Sequence, residues 1–155
     1  NSVVLDIGAA TGIHSLLAAK FGAKKVYAVE PNEAIHLARR MAVANGFGER
    51  IEFIQDLSTN ITLPEPVDVI VSDLRGILPL FSCHIPALID ARGRLMAPGG
   101  IMIPHKDTLW LTLVESRHAY NDIVRPWDYP YGLNMDDAKV EALNSWSQDN
   151  TEDIT

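Results

Sequence analysis

The sequence predicts a parallel α/β sheet with helices on both faces, the architecture whose strand ends hold a nucleotide. Two observations predict it. From Val3 to Glu30, VVLDIGAATGIHSLLAAKFGAKKVYAVE, the chain reads as strand, glycine turn, helix, strand, with Asp6 and Glu30 closing the two strands. Further apolar runs of strand length then recur between helical segments, and parallel strands need such crossovers.

The elements follow in order. Val3, Val4 and Leu5 form a continuous apolar run ending at Asp6, as a strand covered on both faces should. Gly8 and Gly12 bracket a tight turn into a helix, with Ile13, Leu16 and Leu17 at helical spacing as its expected apolar face. Val26 to Val29 make the second strand. Pro31 and Asn32 open a second helix with Asn32 as the expected N-cap, Ile35, Ala38, Met41 and Ala42 on one face, and Asn45-Gly46 as the stop. Ile51 to Gln55 is a third strand. After the loop Leu63-Pro64-Glu65-Pro66, Val67 to Ser72 is a fourth, ending at Asp73, and Pro98-Gly99-Gly100 is expected to turn the chain into a fifth, Ile101 to Pro104. Thr108 to Glu115, TLWLTLVE, reads as a further strand with no helix before it, so the architecture changes near residue 105. Pro126, Trp127, Pro130, Tyr131 and Gly132 make an irregular segment, and residues 144–155 are polar enough to be loose.

The first glycine turn discriminates between nucleotides. A pyrophosphate binder wants G-x-G-x-x-G, and the matching positions here are Gly8, Ala10 and Ile13, so two of three glycines are missing. Asp6-x-Gly8-x-x-Thr11-Gly12 instead sets a carboxylate at the mouth of the first strand, which repels a pyrophosphate and can anchor an amino-acid ammonium directly or through water. Glu30 lies 22 residues beyond Gly8, where a carboxylate can accept hydrogen bonds from both hydroxyls of an adenosine ribose. A ligand with an ammonium and a ribose but no phosphate fits this pattern, and S-adenosylmethionine is such a ligand.

Composition narrows the class. With 155 residues and 47% hydrophobic content the chain can bury a core, and it has no apolar run of membrane-spanning length and no basic, apolar leader, so it is expected to be untargeted and away from the membrane, in the cytoplasm. One cysteine, Cys83, excludes an internal disulfide and suits a reducing compartment. A net charge of −7 argues against nucleic acid as the main partner, since phosphate neutralisation needs clustered Lys and Arg. The charge is uneven. Residues 1–114 hold 10 basic and 11 acidic side chains against 3 and 9 in residues 115–155, so the C-terminal part is either a solvated acidic surface or one that attracts cations.

Four stretches taken together resemble a family. VVLDIGAATGIHSLLAAKFGAKKVYAVE, VDVIVSDLRG, LIDARGRLMAPGGIMIPHKDTLWLTLVE and RPWDYPYGLNM look like the protein arginine methyltransferases in order and spacing, across roughly residues 2–137. The first block alone indicates only a class I S-adenosylmethionine-dependent methyltransferase; the A-P-G-G-x-x-x-P block and Y-G-x-N-M are more specific. The resemblance implies a Rossmann-like cofactor-binding domain over residues 1–106 and, over 107–155, the start of a substrate-binding β-barrel. It also implies absent N-terminal lid helices and an unclosed barrel, and leaves room for a homodimer.

Carried over residue by residue, the resemblance sets Asp6, Gly8 and Gly12, with Ala9 and Thr11 between them, around the methionine and ribose end of the cofactor. Glu30, followed by Pro31, would hold the ribose hydroxyls, and Asp56 and Leu57 would meet the adenine edge. Of the family's two active-site glutamates, the first matches Asp73. The second does not survive, because the family's Y-E-S-M reads Phe81-Ser82-Cys83-His84 here, and Arg75 stands where the family has an apolar residue. A guanidinium acceptor stays protonated and needs carboxylates for its forked donors, so this loop is more positive by two units than an arginine site wants. A unit charge pair about 4 Å apart is worth roughly 4 kcal/mol at an effective dielectric of 20, enough to turn attraction into rejection if Arg75 points inward. An outward Arg75 paired with a surface acid would leave the site unharmed.

The remaining candidates are ordinary. His14, His84, His105 and His118 show no metal-ligand spacing, so no metal is expected, and they read as structural or surface histidines, with His84 alone placed to accept a proton near the methyl. Trp110, Trp127 and Trp146 read as core or interface residues. The reading is therefore a methyltransferase acting on a nitrogen acceptor in a protein or a small molecule. The alternatives are a related methyltransferase with a non-arginine acceptor and a module that keeps the cofactor without turnover.

Overall fold

The structure, a computed structural model, describes residues 2–74, 84–113 and 115–145. Strands β1 (Val3–Ile7), β2 (Lys25–Val29), β3 (Ile51–Ile54), β4 (Val67–Ser72) and β5 (Met96–Ile103) form one sheet in the order β3-β2-β1-β4-β5, every neighbouring pair parallel. The crossovers carry helices α1 (Ile13–Lys20), α2 (Ala34–Ala44) and α3 (His84–Arg94). Strand order reverses between β1 and β4, and a crevice at the carboxyl ends of such strands is where open α/β sheets bind ligands.

Alternation along β1 divides the core. Val3, Leu5 and Ile7 point to one face, where they pack with Tyr27, Val29, Ile70, Ala91 and Leu95; Val4 points to the other, with Leu16, Ala19, Val26, Ala28 and Ala42. Asp6 therefore belongs to the α1 face. The strand is buried over all five residues, and its four apolar side chains stabilise the fold by about 25 cal/mol per Å2 of apolar area removed from water, with Asp6 the one charged exception.

Several local expectations need correction. The buried face of α1 is Ser15, Leu16 and Ala19, while Ile13 and Leu17 stand 52% and 38% exposed, because small residues let the helix lie close to the sheet. Asn32 is not the N-cap of α2; Glu33 holds that position, and the Asn32 amide is engaged by Glu30 instead. β5 begins at Met96, not Ile101. Pro98-Gly99-Gly100 lies inside the strand as a bulge opposite Val67–Val69, and a Cβ on Gly100 would lie 2.5 Å from Met96 Cγ and 3.1 Å from the Asp68 carbonyl oxygen.

A second compact unit begins at Leu109. TLWLTLVE forms no strand over its described residues, since a ladder needs a neighbour and no described strand lies beside it; Trp110, Leu111 and Leu113 are more than nine-tenths exposed. The unit contains no β-barrel start among its described residues. It consists of α4 (Arg117–Ile123), capped by the Ser116 hydroxyl accepting from the Ala119 N–H at 3.2 Å, two 3-10 turns at Arg125–Trp127 and Pro130–Gly132, and α5 (Asp136–Leu143). Lys139 pairs with Asp128, a hydrogen bond that holds the ammonium above its ordinary pKa.

Candidate functional site

The turn after β1 is built from left-handed backbone. Gly8 has φ +74° and Gly12 +84°, and between them Ala10 adopts φ +46°, a conformation costly for a residue with a Cβ. Hydrogen bonds from the end of β2 hold it there. The Gly8 and Ala9 N–H groups donate to the Val29 carbonyl at 2.9 and 3.0 Å, and the Ala10 N–H donates to Glu30 Oε2 at 2.9 Å. Glycine at position 8 also makes room for the residue after β4's end: a Cβ there would sit 2.4 Å from Leu74 Cδ2.

Glu30 is 6% exposed and its other oxygen, Oε1, accepts from the Asn32 N–H at 2.9 Å and from Asn32 Nδ2 at 2.7 Å. Three of its roughly four acceptor positions are thus in use, one of them by an exposed amide that can rotate away. Glu30 opens on a cavity of about 290 Å3 at the carboxyl ends of the strands, whose lining includes Gly8, Pro31, Asp56, Leu57, Leu74 and His84. Asp56 Oδ1 accepts from the Leu57 N–H at 2.7 Å and from Asn60 Nδ2 at 2.8 Å, which fixes the short segment that presents both residues. Arg94 holds that segment from behind. Its guanidinium donates to the Ile61 and Ser58 carbonyls at 2.8 and 3.0 Å and to both oxygens of Asp90, whose carboxyl is held below its usual range by that bond.

Asp6 does not open on the cavity. It is fully buried, with Oδ2 accepting from the Ser15 hydroxyl at 2.6 Å and Oδ1 enclosed without a partner among the described residues; burial raises its pKa. Oδ2 thus ties β1 to the first turn of α1, because strand alternation aims residue 6 at that helix. Ser72 Oγ, at the end of the adjacent β4, is likewise enclosed without a described partner.

Of the residues expected at the cofactor, the structure brings Gly8, Glu30, Pro31, Asp56 and Leu57 onto one cavity, with Ala9 and Gly12 buried in the turn behind and Thr11 exposed. Asp73 is exposed just after β4; Arg75 and Ser82 lie outside the described residues. Sequence reasoning missed Asn32, Leu74 and Ala87 at the cavity, and placed His84 elsewhere. Asn32 was legible in principle, since Asn two residues after an acid often bonds back locally.

A larger groove of about 400 Å3, lined by Val4, Leu17, Phe21, Val69, Val71 and Ile103, lies against α1. Among the described residues, its lining has no carboxylate to meet a ribose, so the cavity at Glu30 is the better site for a nucleoside.

A family profile described as ribosomal protein L11 methyltransferase (PrmA) matches residues 1–117. The chain belongs to this methyltransferase family. Curated relatives narrow the likeness: the chain is 38% identical over 144 residues to a probable protein arginine N-methyltransferase 1.2 of Arabidopsis thaliana, covering 92% of this chain and 39% of the relative. It is also 38% identical over 135 residues to protein arginine N-methyltransferase 2 of Dictyostelium discoideum, covering 87% of the chain and 26% of the relative. The chain thus spans well under half the length of these relatives. Among solved structures, a Trypanosoma brucei PRMT1 enzyme-prozyme heterotetrameric complex with AdoHcy superposes with a TM-score of 0.82 at 32% identity, over 91% of this chain and 44% of that one. Arabidopsis thaliana protein arginine methyltransferase 10 superposes with a TM-score of 0.76 at 28% identity, over 99% and 51%. The sheet is therefore that of a class I, arginine-methyltransferase-like protein.

Proposed function

We propose that this methyltransferase binds S-adenosylmethionine at the cavity beside Glu30 and passes its methyl group to a nitrogen acceptor of arginine type. One observation carries the reading: a buried carboxylate at the end of β2, braced by the Ala10 and Asn32 N–H groups, faces a cavity that Gly8 leaves open. The residues fit the cofactor. Vicinal hydroxyls need two acceptor positions, and Glu30 offers one outright and a second once the Asn32 amide turns outward. Among the described residues, no lysine or arginine lines the cavity to receive a pyrophosphate.

The bound cofactor supplies a methyl on a sulfonium, a reactive carbon that needs no covalent help from the protein. The chain's own part is positioning. Glu30, Asp56 and Leu57 fix the nucleoside, Leu74 packs on the glycine turn, and Asp73 orients the acceptor nitrogen by its charge. Ser82 in place of the second glutamate supports the alternative of a non-arginine acceptor, because one carboxylate cannot pair both forks of a guanidinium.

The acceptor is read as protein on the relatives' names, and nucleic acid is disfavoured by the charge of −7. The enzyme-prozyme heterotetramer of the Trypanosoma relative supports assembly with further subunits. A single cysteine supports a cytoplasmic location, and no described helix is long and apolar enough to cross a membrane. Titration calorimetry with S-adenosylhomocysteine and with NAD tests the cofactor: the homocysteine nucleoside should bind, and tighter binding of NAD would overturn the assignment.

A further inference from the structure

The cavity at Glu30 has a polar atom that the proposed ribose contact does not use. His84, the first residue of α3, lines it together with Asp56, Leu57, Leu74 and Ala87, and its Nδ1 is enclosed with no hydrogen-bond partner among the described residues. An enclosed ring nitrogen without a partner is unfavourable, so such a group in a binding cavity asks for a ligand atom to complete it. The neighbouring polar groups are engaged. Asn32 Nδ2 lies on Glu30, and Asp56 Oδ1 holds Leu57 and Asn60.

The chemistry of a purine matches what is left. Its faces are apolar, as Leu57, Leu74 and Ala87 require, and its edge alternates an amino donor with ring nitrogens that only accept. A carboxylate accepts only, so Asp56 suits the amino group and nothing on the ring. A neutral imidazole carries one N–H donor, which suits a ring nitrogen. Resting on the cofactor reading above, we infer that His84 reads the base of the bound nucleoside, donating from Nδ1 to a purine ring nitrogen. It is a specificity-determining residue, and its place in the cavity differs from the proton-accepting role at the methyl that the sequence allowed.

Calorimetry on the chain tests this with S-adenosylhomocysteine and its 1-deaza, 3-deaza and 7-deaza analogues. In the unmodified chain one analogue should bind about tenfold more weakly than the parent, the one lacking the nitrogen that accepts from His84. His84→Leu should weaken the parent nucleoside about tenfold and erase the distinction between that analogue and the parent. His84→Asn, whose amide N–H reaches nearly the same point as Nδ1, should restore both to within threefold. Equal binding of all four ligands by the unmodified chain would overturn the inference even if no variant folds. So would parent affinity unchanged in His84→Leu, while leaving the cofactor reading intact. Failure of the unmodified chain to bind S-adenosylhomocysteine at all would overturn both.

Discussion

Glu30 Oε2 accepts the N–H of Ala10 at 2.9 Å, so the acid that closes the second strand also pins the turn that leaves the first. Ala10 sits at φ +46°, where L-residues are disfavoured, and the turn keeps this shape only while something holds its N–H. The loop geometry and the proposed ribose contact therefore depend on one carboxylate.

Removing that carboxylate should cost stability as well as affinity. Glu30→Ala removes the acceptor of the Ala10 and Asn32 N–H groups, and since both residues are exposed and can turn to water each lost bond costs about 0.5–1.5 kcal/mol, so the melting temperature should fall along with a tenfold or greater loss of S-adenosylhomocysteine affinity. Asn32→Ala separates the two effects. It frees one of the two acceptor positions of Oε1 in use and keeps the backbone N–H bond, so calorimetry should show affinity equal to or tighter than that of the unmodified chain.

Two left-handed glycines should respond differently to a methyl group. Gly22→Ala meets no atom within 4 Å and pays only the left-handed strain of about 1–2 kcal/mol. Gly12→Ala adds a Cβ 2.8 Å from the Cβ of Ala38, which is fully buried in α2, so a further 1–3 kcal/mol or so of overpacking is expected in denaturant titrations.

Asp6 makes stability depend on pH. Its folded pKa is raised by burial above the ordinary 3.8, so across that window the folded chain keeps a proton that the unfolded chain has released. The site favours folding at the acid end and loses that contribution as pH rises through the raised value. Asp6→Asn, which can still accept from Ser15, removes the dependence; its stability relative to the unmodified chain should climb as pH increases above about 4. A difference that stays flat with pH would show that Asp6 is ionised at no cost.

The loop of Arg75 and Ser82 yields a prediction from charge alone. Ser82→Glu with Arg75→Met, which makes this stretch of the chain more negative by two units, should raise methylation of an arginine-rich peptide at least tenfold. Robust activity without them would mean that another carboxylate supplies the charge.

Much of the sheet was legible because a strand buried on both faces leaves a plain signature: Val3 to Leu5, Val26 to Val29 and Val69 to Val71 are apolar runs closed by polar residues. TLWLTLVE carries an equally good strand signature yet forms none over its described residues, since strand propensity needs a neighbouring ladder to be realised. Pro98-Gly99-Gly100 was misread as a turn because a bulge and a turn use the same residues.

By itself, then, the sequence determined the parallel α/β order, the glycine turn unsuited to pyrophosphate, and the acid at position 30, all of which are local in the chain. The tertiary structure decided that Asp6 turns inward to Ser15, that Asn32 serves Glu30 and not a helix end, and that His84 shares a cavity with Asp56, a residue 28 positions away. Periodicity and turn chemistry report which residues lie near one another along the chain. Which side chains converge across strand ends is set by sheet order and helix placement, and those depend on packing among residues far apart in sequence.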